Sequence, residues 1–190
     1  MLTDRAERYL ETLDRVNFVP TEEIERILLE NGHPCIRGWL DFHEKFAGYV
    51  EFIGQDRAVW GLAHESPSWM DPLSVEVEYD KKEGVFDIAC ADVHPSYNYL
   101  LSDSGVFWGF PSECFEIYVE RKAVGYFFSE KGGVRSINDK EIEADLLKKM
   151  IKKDNIIVEA TDKFSNYYRF KNYLVVENVA TSKVHGWVRS

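Results

Sequence analysis

The stretch HPCIRGWLDFHEKFAG, residues 33–48, gathers two histidines, a cysteine and two acids, the residue types that hold metals or activate nucleophiles. His43-Glu44 begins the His-Glu-x-x-His pattern in which two histidines one helical turn apart bind zinc. Ala47 occupies the place of the second histidine, and a single missing ligand removes that chemistry. A set made of His33, Cys35 and His43 would need Pro34 and Gly38 to fold a loop around the ion, and it still lacks a fourth ligand. No metal is expected. Ile36, Trp39, Leu40, Phe46 and Ala47 recur at steps of three, four and seven, one face of a helix. His43 shares that face, so it is expected to be a hydrogen-bonded core histidine, while Asp41 and Glu44 point elsewhere.

Cys114 is the thiol with the better prospects. A helix capped by Ser112 would put it in the first turn, where the helix dipole favours thiolate. A nucleophile also needs a base, which His94 or His64 would have to supply across the fold. The alternative is a small buried residue beside Phe115, since free cysteine is among the most buried residue types. Cys35, Cys90 and Cys114 are odd in number and widely spaced, which argues against a disulfide framework. Gly132-Gly133 lacks the spacing of a phosphate loop, and no Gly-x-Ser-x-Gly elbow occurs. Lys148, Lys149, Lys152 and Lys153 cluster at a helix C-terminus, where dipole complementation accounts for them. The sequence offers no anchor for catalysis and none for a cofactor.

The elements that would carry these residues follow from periodicity. Helices are expected from Thr3 to about Asn17, over PTEEIERILLENG with Thr21 as cap and Gly32 as left-handed stop, and over the 36–48 stretch. The period then shortens to that of strands: YVEFIG, AVWGLA, SVEVEYDKKEGVFDIACA and YNYLLSDSGVFWGF read as hairpins, the last turning at Asp103-Ser104-Gly105. ECFEIYVERKAVGYFF is a helix apolar nearly all round, and an amphipathic helix spans about Lys140 to Lys152. NIIVEA, NYYRF, YLVVENV and VHGWV are expected as closing strands. Helices, then meandering strands, then helices and strands again define an α+β fold, an antiparallel sheet packed by helices with a β-rich C-terminal extension.

Composition narrows the function. The chain has 190 residues, 45% hydrophobic and 29% charged, as a soluble globular protein does. No apolar run is long enough for a membrane span, and MLTDRAERYLETLDR is no signal peptide, so the cytoplasm is expected. The net charge of −10 repels phosphate backbones and attracts a basic protein.

Three segments resemble the SMI1/KNR4-like, or SUKH, superfamily. EEIERILLENG followed by HPCIRGWLDFHEKFAGY is similar to that family's Glu-rich helix, small-residue break and aromatic-rich helix closed by Gly. LLSDSGVFWGF, together with Trp60 in the paired strands before it, resembles the family's Asp-x-x-Gly turn ahead of an aromatic strand. PSECFEIYVERKAV is similar to the helix closing the family core. His33-Pro34 replaces the usual Leu-Pro, and Phe46-Ala47-Gly48-Tyr49 replaces an Asn-Gly pair. The resemblance covers about residues 18–130 and implies a core over 1–130, with residues 131–190 packed on it as an extension.

Many bacterial members are immunity proteins that bind and neutralise a cognate toxin, often a nuclease, without performing chemistry. The resemblance therefore implies a basic toxin as partner; the alternative is an intracellular regulatory or scaffold module of the same fold. A third class, an enzyme using Cys114, stays open. Expected partner-binding residues are Glu76 and Glu78, on the solvent side of a strand, Trp69 and Asp71, in the HESPSWMDP loop, and Asp103 at a hairpin tip. An aromatic anchor ringed by charge is the usual form of an interface hot spot.

Overall fold

A computed structural model describes residues 1–64, 78–89, 99–130 and 132–190. These residues form two compact units, one from Leu10–Phe110 and the other from Met1–Tyr9 with Pro111–Ser190. The seam read at residue 131 thus lies inside the second unit. The class is α+β with antiparallel sheets, as the sequence implied.

In the Leu10–Phe110 unit, helix α2 (Thr21–Glu30) buries Ile24, Ile27 and Leu28, one stripe at steps of three and four. Each contributes roughly 1.5–3 kcal/mol on leaving water. Pro20, at the N-cap, starts the helix and no side chain caps it; Thr21 lies one residue further in and has a different partner. Gly32 stands at φ +70° just past the C-terminus. Helix α3 (Arg37–Phe46) buries Trp39, Leu40, Phe42, His43 and Phe46.

Strands β1 (Val50–Ile53) and β2 (Asp56–Val59) pair as a hairpin. Strands β3 (Tyr79–Asp80), β4 (Val85–Asp87), β5 (Leu100–Ser102) and β6 (Phe107–Trp108) form a meander in that order. A bridge from Trp60 to Ala89 links hairpin to meander. Aromatic side chains carry the packing: Trp39 lies 5.4 Å from Phe86, Phe86 lies 4.5 Å from Tyr79, and Phe46 lies 6.4 Å from Trp60, between ring centres. Glu51, fully enclosed beside them, accepts hydrogen bonds from Trp60 Nε1 at 3.2 Å and the Tyr99 hydroxyl at 3.1 Å.

The other unit begins with α1 (Asp4–Leu10), where Thr3 Oγ1 accepts the Ala6 N–H as the expected cap. The helix stops well short of Asn17. Beyond it, Arg15 bridges Tyr49 and Val16 donates to the Gly48 carbonyl, so extended pairing displaces the helical pattern. Helix α4 (Phe115–Ser129) starts at Cys114, not at Ser112, whose hydroxyl is buried without a protein partner.

Four strands close the chain in the order β7 (Val134–Asn138), β10 (Val184–Arg189), β9 (Tyr173–Asn178) and β8 (Ser165–Phe170). Val124 and Phe128 of α4 cover one face with Leu174, while Met150 of α5 (Ala144–Met150) covers the other with Tyr168, Val175 and Ile137. The C-terminal extension is therefore a separate four-stranded sheet between helical layers. The helix expected over 140–152 is shorter and is preceded by a 3-10 turn at Asp139–Glu141. NIIVEA is not a strand. It makes one bridge, Ile156 to Tyr168, and then a 3-10 turn at Val158–Ala160.

Two buried carboxylates tie this unit together. Glu120 accepts from the Thr3 backbone N–H, the Thr3 hydroxyl and Arg5 at 2.7, 2.8 and 2.9 Å, fixing the N-terminal segment on α4. Asp162 pairs with Arg121 at 2.6 Å, both side chains being nearly sealed from solvent.

Candidate protein-binding surface

His43 shows what the 33–48 stretch does. It is completely buried, with its ring stacked on Trp39 at 5.4 Å. Its Nε2 accepts the Leu62 N–H at 3.2 Å, which leaves the neutral ring's proton on Nδ1 to donate to Thr21 Oγ1 at 3.3 Å. Burial, aided by the Arg15 charge, lowers its pKa to about 4. Gly61 makes room for the ring: at φ +71°, a Cβ there would meet the Ala47 Cβ at 2.9 Å and His43 Cδ2 at 3.0 Å. His33 faces the Tyr79 ring edge-on, and the Cys35 thiol donates to Glu25 at 3.5 Å. The three side chains go to different partners. Among the described residues no three His, Cys, Asp or Glu groups converge as metal ligands do.

The surroundings of Cys114 raise its pKa, the reverse of what an activated thiol needs. It is the N-cap residue, half-buried, and burial pushes its pKa up despite a backbone hydrogen bond from Ile117. Cys35 is also raised, by burial first and then by the Glu25 carboxylate. A mild thiol reagent at neutral pH is therefore expected to label Cys114 slowly and without an acid-shifted profile, as mass spectrometry of the modified peptide would read. Rapid stoichiometric labelling of Cys114 would restore the nucleophile.

The unbalanced charge, in contrast, is sharply located. Residues 10–110 carry nineteen Asp and Glu against seven Lys and Arg, a net −12, while the remainder carries fourteen acids and sixteen bases, a net +2. Within the acidic unit, α2 and α3 flank a cleft of about 570 Å³ lined by Phe18, Pro20 and Leu40 together with Glu22, Glu25, Glu44 and Arg37. Arg37 is already paired with Asp41 at 2.8 Å. Among the described residues no cation pairs with Glu22 or Glu44. A cleft that sets Phe18, Pro20 and Leu40 beside the unpaired carboxylates of Glu22 and Glu44 fits the stem and charged head of a lysine or arginine side chain.

No family model, curated protein or solved structure matches the chain.

Of the residues singled out in the sequence, Trp69, Asp71 and Glu76 lie outside the described residues. Glu78 and Asp103 are both exposed, and they belong to one end of the meander. Tyr79, next to Glu78, donates its hydroxyl to Asp103 at 2.9 Å, and the Asp103 N–H donates to the Gly84 carbonyl at 3.0 Å. That bond to Asp103 raises the Tyr79 pKa. Trp108 and Phe110, 42% and 40% exposed, follow the same hairpin.

The cleft acids were missed because Glu22 reads equally well as a dipole partner and Glu44 as a solvated face. Their signal was the i, i+3 spacing of Glu22 and Glu25, which puts both on one side of α2.

Proposed function

We propose that the chain binds and neutralises a basic protein toxin by covering its active or substrate-binding surface, acting without chemistry of its own. The observation that carries this reading is the net charge of −12 confined to residues 10–110, with the acidic α2–α3 cleft inside it. A concentrated field of one sign raises the encounter rate with an oppositely charged protein, which suits an inhibitor that must reach a toxin before its target does. The resemblance to SUKH immunity proteins supplies the toxin as the kind of partner.

Co-purification from the native host tests the reading. A stoichiometric basic protein whose activity disappears in the complex is the expected result. If the chain comes down alone, even with its neighbouring gene product co-expressed, the toxin reading falls and the regulatory module takes its place.

Reversing Glu22 and Glu44 to lysine is then expected to lower the association rate roughly tenfold at low salt and to flatten its salt dependence, with circular dichroism unchanged. Reversing Glu78 and Asp103 is the matched comparison. A larger effect there would move the interface from the cleft to the end of the meander.

A further inference from the structure

Arg169 on β8 and Arg189 on β10 converge on one aromatic ring. Their guanidinium carbons lie 4.3 and 4.8 Å from the centre of Phe128, on the face of the C-terminal sheet that α4 covers. Arg5, Arg26, Arg37, Arg121 and Arg135 each reach a carboxylate. Among the described residues Arg169 and Arg189 reach none. Arg169 Nη1 and Arg189 Nε are fully buried and donate to no protein acceptor. The two charges also oppose each other: burial, and then the charge of Arg189, lowers the Arg169 pKa.

A ring face attracts one cation readily. Two like charges on one ring, with no carboxylate beside them among the described residues, call for a group of opposite sign. The guanidinium fork matches the oxygens of phosphate, and two such groups match a dianion in charge. Backbone without side chains runs beside Arg189, since the Ser190 hydroxyl donates to the Gly133 carbonyl at 3.1 Å and Gly132 lies against Arg189. We propose that Arg169 and Arg189 form a phosphate-binding site, taking free phosphate or the phosphoryl group of a small monoester. The site belongs to the Met1–Tyr9 and Pro111–Ser190 unit alone, so it stands or falls separately from the partner surface.

The test uses the full chain with inorganic phosphate, against sodium chloride at matched ionic strength, read by thermal melting and by phosphorus NMR. Phosphate tenfold above its Kd is expected to raise the Tm by about 3–6 °C and to broaden the phosphate resonance. R169Q and R189Q are each expected to weaken binding by about tenfold, and Arg189→Lys, which keeps the charge and loses the fork, by less. Phenyl phosphate separates the sources. Binding equal to that of inorganic phosphate points to a monoester, and binding of inorganic phosphate alone points to the free ion. No phosphate-specific shift in the wild-type chain would overturn the proposal, as would a shift that both Gln variants retain. Should the Gln variants fail to fold, the wild-type resonance and the Arg189→Lys variant still decide it.

Discussion

Replacing Asp162 by alanine is expected to cost the fold about 3–5 kcal/mol, the range for stranding one member of a buried ion pair. The pair is only the centre of the arrangement. Asp162 Oδ1 takes Arg121 Nη2 at 2.6 Å and also the N–H groups of Phe164 and Ser165, while Oδ2 takes the N–H of Glu113. Arg121 meanwhile donates to the carbonyls of Pro111 and Ala160, and its guanidinium lies 5.2 Å from the Tyr167 ring centre. Losing the carboxylate leaves a buried cation and three backbone donors without their acceptor. Arg121→Met is expected to cost less, because the three N–H groups still solvate the aspartate and the methionine refills the volume. Urea unfolding of both variants and of the double variant measures the difference, with the coupling between them as the pair's own share. A loss below about 1 kcal/mol for Asp162→Ala, against the range for buried pairs, would mean that this network does not hold α4 to the segment before β8.

How far such a network could be foreseen depends on whether local pattern or distant pairing decides each segment. Helices α2 and α3 were legible because Ile24, Ile27 and Leu28, and then Trp39, Leu40, His43 and Phe46, bury one stripe each. Strands β8, β9 and β10 were legible as short apolar runs. Strand β7 was not: Val134 and Ile137 are three apart and so lie on opposite faces, one packed with α4's cluster and the other with Met150. Period two cannot show in a strand whose ends are buried on different sides. NIIVEA misled for the opposite reason. Its β-branched residues favour a strand, but the Ile157 N–H goes to the Tyr167 carbonyl and Ala160 offers its carbonyl to Arg121, which draws the chain into a turn. The Arg121–Asp162 pair spans 41 residues, and nothing local marks either residue as buried.

The candidate surface was legible in sign and only partly in place. Net charge pointed to the proposed class of partner, whereas the confinement of that charge to residues 10–110 needed the fold. The Arg169–Arg189 pair had no sequence signal at all, because the two arginines meet only through strand order, with β9 between β8 and β10.

His43 gives the acidic unit a pH dependence whose direction is fixed by its burial. The unfolded chain binds a proton at His43 with the ordinary pKa of 6.5, whereas the folded chain does so only at about 4. Between those values the unfolded state holds more protons, so stability falls as the pH is lowered. The loss begins below about pH 6.5 and is complete near pH 4, amounting to about 3 kcal/mol for a shift of this size. Above pH 6.5 the ring is neutral in both states and contributes no slope.

Among the described residues, the groups that surround the ring offer a charged imidazole no anion. Trp39 is stacked on one side, Phe18 stands edge-on at 6.0 Å, and Arg15, held between Phe18 and Tyr49 with its Nε on the Ala47 carbonyl, adds a like charge. A proton on Nε2 would also confront the Leu62 N–H that this nitrogen now accepts. Other groups titrate in the same range, so the measurement is the difference between the wild-type chain and His43→Gln in urea midpoints from pH 4 to pH 7. The glutamine variant is expected to be less stable at pH 7, having lost the stacked ring, and to lose less on acidification. The two stabilities should therefore approach each other as the pH falls. Parallel profiles would show that His43 keeps an ordinary pKa in the folded chain. The α2–α3 region would then have to relax around a charged ring, and the acidic cleft built on those two helices would change shape with pH as well.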